Sequence, residues 1–269
     1  MKSIHHSHWH TSVDIHGPES LYGRTVFLST DIECAACLRV NIKTFQVEKA
    51  RWEIYRGPDG PQSKDIDGLK GVEAYLGSGE ALRRAMKDFG ARALSLASET
   101  VRGIVQAETF TYRERGFIDA KSYDDFWEKM YLNTCRYYSN LNRITRRWEN
   151  HVSAQKRFNN LFNRFKGVSV SEGSDIYFAD ASLSDSFHEV GVSITLDKGR
   201  GTVTAIDCRL LRGPDQVCIE AGDFAQNLLG QKLTAMSKKE IAGALAGGQG
   251  CVHMIDLCHD VGTVMQEYF

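Results

Sequence analysis

The tetrapeptide Arg-Gly-Pro-Asp stands twice in this 269-residue chain, at 56–59 and at 212–215, and ends the same pattern both times. "CLRVNIKTFQVEKARWEIYRGPD" and "EVGVSITLDKGRGTVTAIDCRLLRGPD" each read as an alternating strand, a turn and a second alternating strand. The second copy carries four more residues at its turn, where Asp-Lys-Gly-Arg-Gly supplies hairpin chemistry. Downstream, "GLKGVEAYLG" (68–77) parallels "EAGDFAQNLLG" (220–230), each read as a helix stopped by glycine. One more amphipathic segment closes each copy, 94–110 in the first and 250–269 in the second. The match predicts an α+β fold, a tandem duplication of an antiparallel-sheet-plus-helices unit, with the two copies face to face about a pseudo-twofold axis.

The expected organisation is a flexible His-rich arm at 1–20, a first repeat at 21–115, a helical connector at 116–175 and a second repeat at 176–269. Within the connector, residues 121–166 contain no proline and read as one long or two shorter helices. From Arg136 to Lys166, Arg136, Arg143, Arg146, Arg147, Lys156, Arg157, Arg164 and Lys166 meet only Glu149, and Tyr137, Tyr138, Trp148, Phe158, Phe162 and Phe165 interleave. Such a mixture suits RNA or an anionic ligand. The plainer reading packs the aromatics onto the repeats and turns the arginines to water. A formal charge of −1 gives no global pull toward nucleic acid, and no apolar run approaches a membrane span. The N-terminus lacks the apolar core of a secretion signal, so the expected compartment is the cytoplasm, where the seven cysteines would be thiols, metal ligands or catalytic groups.

The densest chemistry lies in "GGQGCVHMIDLCHD", 247–260. A helix over 251–267 places Cys251, Met254, Cys258, Val261 and Met265 on one apolar stripe, which makes Cys258 a core thiol. Cys251, at a glycine-preceded helix start, is the position where backbone N–H groups and the helix dipole would lower a thiol pKa. Seven residues separate it from Cys258, about 10 Å along a helix, so the two cannot share one metal ion. Ligands must come from elsewhere: His188 and Glu189 at the start of the second repeat's first strand, and Cys218 just after the second Arg-Gly-Pro-Asp. Together with Cys251 they form a Cys/Cys/His or Cys/Cys/His/Glu set, with His253 able to replace His188 and His259 read as a surface residue.

Two weaker signals accompany it. Cys34 and Cys37 form a Cys-x-x-Cys pair that suits a metal half-site, a redox pair or simple packing. The interrupted histidines of "HHSHWHTSVDIH" read as a mobile arm with weak metal affinity. Nucleotide-loop, nucleophile-elbow and Rossmann patterns are absent from the sequence.

Residues 176–269 resemble a bacterial domain family of unknown function whose members end in a pattern similar to "GGQGCVHMIDL", after segments similar to "FHEVGVSITL" and "CIEAGDFAQNLLGQKL". That resemblance brings no activity. At greater distance the order of elements resembles the iron–sulfur cluster scaffold proteins of the NifU N-terminal type. That resemblance implies that Cys251 matches their third cysteine and Glu189 their aspartate. Phe187 or His188 stands where their first cysteine belongs, Pro214 at the second with Cys218 one turn later, and Gly250 for their histidine.

Three functions are therefore expected as alternatives. The first is a cytoplasmic metal- or iron–sulfur-binding protein, its cluster or its iron or zinc ion held by Cys251, Cys218 and His188 or Glu189. The second is an enzyme with Cys251 as low-pKa nucleophile or catalytic-metal ligand, His188 or His253 as general base, and a small substrate between the repeats. The third is a noncatalytic assembly module acting through the basic connector. The chain is expected as a pseudo-dimeric monomer or a homo-oligomer, without membrane or nucleic-acid partners.

Overall fold

A computed structural model describes residues 1–152, 157 and 159–269. Nine strands form one sheet in the order β5-β4-β3-β2-β1-β6-β7-β8-β9. They are β1 (Lys2–Ile15), β2 (Ser20–Ser29), β3 (Glu33–Asn41), β4 (Val47–Arg56), β5 (Gln62–Asp65), β6 (Phe162–Glu172), β7 (Ile176–Asp185), β8 (Glu189–Asp197) and β9 (Val203–Arg212). The helices are α1 (Gly79–Ala85), α2 (Gly90–Thr111), α3 (Ala120–Met130), α4 (Glu149–Val152), α5 (Lys238–Ala244) and α6 (Val252–Met265), with a 3₁₀ helix over Gln216–Leu228.

This single sheet overturns the expected tandem duplication with its two separate sheet-plus-helix units, its pseudo-dimer and its scaffold-like fold. The two Arg-Gly-Pro-Asp segments also lead to different structures. After Arg56 the chain turns through Gly57–Gly60 and returns as β5 against β4, whereas after Arg212 it enters the 3₁₀ helix, with Asp215 capping its first turn. Residues 68–77 hold no long helix either, only the end of a single 3₁₀ turn at Asp67–Leu69. What sequence similarity reported was the local alternation of the strands, a period-2 pattern that is silent about which strands pair.

The histidine-rich N-terminus forms β1, because alternate side chains in it suit burial: Ser7, Thr11 and Val13 are buried while His6 and His8 face solvent. The connector, expected to be helical, contains α3, α4 and the whole of β6, with turns between Tyr131 and Arg147; Lys156 and Phe158 lie outside the described residues. Its arginines find acids that sequence proximity does not reveal. Arg136 and Arg143 pair with Glu220, Arg147 with Glu128, Arg164 with Glu99 and Lys166 with Asp260.

Two compact units are distinguishable. In the unit made of His8–Tyr123 and Val152–Phe165, α2 lies on β2 and β3. Thr100 on α2 donates to Leu96 O or Thr25 Oγ1, at 2.9 and 2.8 Å. Glu108, fully buried, accepts from Tyr75 Oη at 2.7 Å and Arg115 Nε at 2.8 Å, which offsets the cost of a buried carboxylate. In the unit made of Met1–Ser7, Asp124–His151 and Lys166–Phe269, α6 packs on β7 and β8. Met254, Leu257, Cys258, Val261 and Met265 meet a layer that includes Leu183, Val192 and Ile194. Polar positions of α6 are enclosed too, with Asp256 paired to Lys238 and Asp260 to Lys166.

The sheet ends differently on its two sides. β5 has four exposed residues, including Lys64 and Asp65. β9 is flanked by the 3₁₀ helix Gln216–Leu228, from which Gln226 Nε2 donates to Ile206 O at 3.2 Å. Among the described residues no helix is long and apolar enough to cross a membrane.

Asp124 at the start of α3 accepts the Glu149 N–H, and its Oδ1 is buried without a hydrogen-bond partner among the described residues. Burial, joined by the charges of Glu128 and Glu149, raises its pKa to about 6. The unfolded chain releases this proton near pH ~4. The stabilising contribution is therefore complete below about 4 and is lost as pH rises through about 6. Asp124→Asn keeps the acceptor for Glu149, so it should stabilise the fold at about pH 7.5 by on the order of 1 kcal/mol, read as a rise in Tm, and change Tm little at about pH 4. An equal shift at both pH values would refute this account.

Candidate metal centre

β7 ends and β8 begins around the turn Asp185-Ser186-Phe187-His188. The turn closes through Asp185 N donating to His188 O at 2.8 Å. Asp185 Oδ1 then accepts from the Phe187 N–H at 2.8 Å and the His188 N–H at 2.7 Å, the local chemistry that makes aspartate a turn former. The same oxygen lies 3.1 Å from His188 Nδ1. An ionised carboxylate only accepts, so His188 carries its proton on Nδ1 and keeps the Nε2 lone pair for a ligand.

The glycines of 247–250 bring the second half of the centre. Ala246 and Gly247 adopt left-handed backbone with φ of 65° and 53°. A Cβ at Gly248 would collide with the Asn133 carbonyl, and one at Gly250 with the Leu245 carbonyl. Arg136 N donates to Gly250 O at 2.8 Å, and Ser139 Oγ to Gly248 O at 2.6 Å. These contacts fix where α6 starts, and His253 emerges from its first turn. Its ring centroid lies 4.0 Å from that of His188, and ligand atoms of Asp185, His188 and His253 all lie within 4.8 Å of one another. Asp185 and His253 are buried, and the His188 side chain is 12% exposed.

Aromatic rings from the connector line the far side of the turn. Trp148 lies 4.8 Å from Phe187, and His151 5.3 Å from Trp148, between ring centroids. His151 Nε2 donates to Pro214 O at 3.1 Å; burial, then the Arg146 charge, hold its pKa below the usual range.

Of the residues expected at the centre, His188 and His253 come together. Cys251 is their neighbour, its Sγ 3.9 Å from His253 Nδ1. Burial pushes the Cys251 thiol up to about 12, outweighing the N–H groups of Met254 and His253 that pull it down. The lowered pKa expected at a helix start is reversed because the sulfur is buried rather than presented to solvent. Cys218, on the 3₁₀ helix, is buried and raised to about 12 by burial and by the neighbouring Cys135 and Cys251 thiols; it stands outside the Asp185, His188 and His253 group. Glu189 is exposed and lies 4.0 Å from Arg212 Nε. Among the described residues no group of three thiols stands within ligand reach. Cys34 and Cys37 stand three apart in the regular pairing of β3 with β2, which turns them to opposite faces of the sheet. Cys258 is fully buried. His259 is partly buried rather than a surface residue, and burial lowers its pKa.

Asp185 was absent from the sequence-derived set. Its signal was legible as an Asp-x-x-His between two alternating runs, the pattern of an Asp-capped hairpin.

Residues 171–266 match a domain family described as "Protein of unknown function (DUF2889)". No curated protein and no solved structure gives a significant match.

Two outcomes follow from this packing. In the native protein at about pH 7.5, Cys251 should alkylate as slowly as Cys258, both reacting only on denaturation; rapid labelling of Cys251 would contradict its burial. Gly250→Ala should cost at least about 2 kcal/mol in denaturant unfolding, because the carbonyl it meets is backbone and cannot swing aside.

Proposed function

We propose that this chain binds one divalent transition-metal ion, zinc or iron, through Asp185, His188 and His253. The carrying observation is the convergence of one carboxylate oxygen and two imidazole nitrogens within 4.8 Å. In a filled tetrahedral site neighbouring ligand atoms stand about 3.3–3.5 Å apart. The 3.1 Å contact of Asp185 Oδ1 with His188 Nδ1 orients the imidazole, leaving its Nε2 lone pair for the ion. Two imidazoles with one carboxylate is a donor set suited to zinc and to ferrous iron. Burial supports the reading, since ligands held in a dry, packed environment lose little freedom on binding.

Three protein ligands leave a coordination position open, the arrangement of sites that do chemistry on a bound water or small molecule. Cys251 enters beside His253, whose Nδ1 it contacts, rather than as a nucleophile. The protein-assembly alternative loses its main support, because much of the basic connector is neutralised by Glu220, Glu128, Glu99 and Asp260.

Metal analysis of the purified protein is expected to give close to one zinc or iron per chain. Asp185→Asn and His253→Ala should each reduce that content to a small fraction. A variant with His6, His8 and His10 all changed to alanine should retain it. Failure to take up zinc, ferrous iron or cobalt on supplementation, or uptake insensitive to Asp185 and His253, would overturn the proposal.

A further inference from the structure

The Arg-Gly-Pro-Asp segment at 212–215 has so far been only a mark in the sequence. In the structure Arg212 reaches the turn of the candidate centre directly, and Pro214 and Asp215 hold the connector beside it. Arg212 ends β9, where a register shift sets it opposite Glu189 while Val190 pairs with Leu210. From there its Nη2 donates to Asp185 O at 2.7 Å and to His188 O at 3.2 Å. These carbonyls are the first and last of the turn that carries two of the three ligands. Pro214 O receives His151, and Asp215 Oδ2 accepts from Thr145 N at 2.8 Å, Thr145 Oγ1 at 2.9 Å and Arg146 N at 2.8 Å. The same segment therefore also holds the stretch of connector whose Trp148 ring lies against Phe187.

Resting on the metal-binding reading, we propose that Arg212 is the positioning residue of the centre: by bridging the two carbonyls it holds Asp185 and His188 in ligating geometry. Both bonds come from the one Nη2 amino group, whose two hydrogens lie in the rigid guanidinium plane, so a flexible lysine amine at this position would hold the two carbonyls less firmly. The protein contains its own control. Arg56 ends β4 with the same kind of register shift, and donates to Ser29 O and Thr30 O at 2.5 Å each. The turn it holds carries no histidine. Loss of either arginine removes a comparable pair of charge-assisted hydrogen bonds, but only Arg212 grips metal ligands.

Cobalt(II), a spectroscopic stand-in for zinc, provides the test. The full-length protein and the variants Arg212→Ala, Arg212→Lys and Arg56→Ala are titrated with cobalt against a chelator, with Tm measured in parallel. Arg212→Ala should bind cobalt ten- to a hundredfold more weakly, the usual effect of removing an outer-sphere partner, and with altered visible bands. Arg212→Lys should recover part of the affinity. Arg56→Ala should bind as the wild type does, even where its Tm falls. Wild-type affinity and bands in Arg212→Ala, with binding lost in His253→Ala, would overturn the role of Arg212 alone. Equal weakening by Arg56→Ala would also overturn it, by exposing a general stability effect. Absence of cobalt uptake by the wild type would overturn the centre itself and this role with it. Should Arg212→Ala fail to fold, Arg212→Gln, which retains one donor group, takes its place under the same criteria.

Discussion

One carboxylate oxygen organises the turn between β7 and β8. Asp185 Oδ1 accepts two backbone N–H groups and faces the His188 ring within four residues of chain. A buried carboxylate left without such donors would cost several kcal/mol, so the turn and the charge require each other. The turn sets the register of β7 against β8, from Ser184 opposite Glu189 to Ile176 opposite Asp197. That register decides which side chains face α6, and α6 brings His253 back to the same turn. Local capping, strand pairing and the approach of His253 to His188 are thus successive consequences of one interaction.

The sequence was informative wherever a property is local. Alternation marked β3, β4, β8 and β9, and the apolar stripe marked α6. It failed where the property belongs to distant parts of the chain. Similar strand pairs can belong to one sheet or to two, and nothing in "RGPD" distinguishes the hairpin after Gly57 from the 3₁₀ helix after Asp215. The connector misled for the same reason. Its cations have acidic partners on other elements, so a stretch that reads as a basic surface is largely charge-paired.

Cysteine was the most misleading residue type. A glycine-preceded helix start promised a reactive thiol, but the glycines serve to let backbones touch: Gly248 and Gly250 sit against carbonyls that would reject a side chain. The packing that this closeness permits buries Cys251, and burial outweighs the favourable N–H groups. Cys218 is likewise a core-filling thiol, and Cys258 is one as its apolar stripe indicated. The residues of greatest chemical interest are an aspartate in a turn and two histidines, groups whose significance depends on being brought together.

The guarded margins of the sheet bear on how the protein behaves in a crowded solution. An open strand edge is a template for adding foreign strands, and long sheets with bare edges tend to stack into aggregates. Here one margin is only four residues long and carries charge, while along the other Gln226 already occupies the Ile206 carbonyl. Replacing Lys64 and Asp65 with apolar residues would turn the short margin adhesive without disturbing a single core contact. Protection of this margin against edge-to-edge pairing thus rests on a handful of exposed positions.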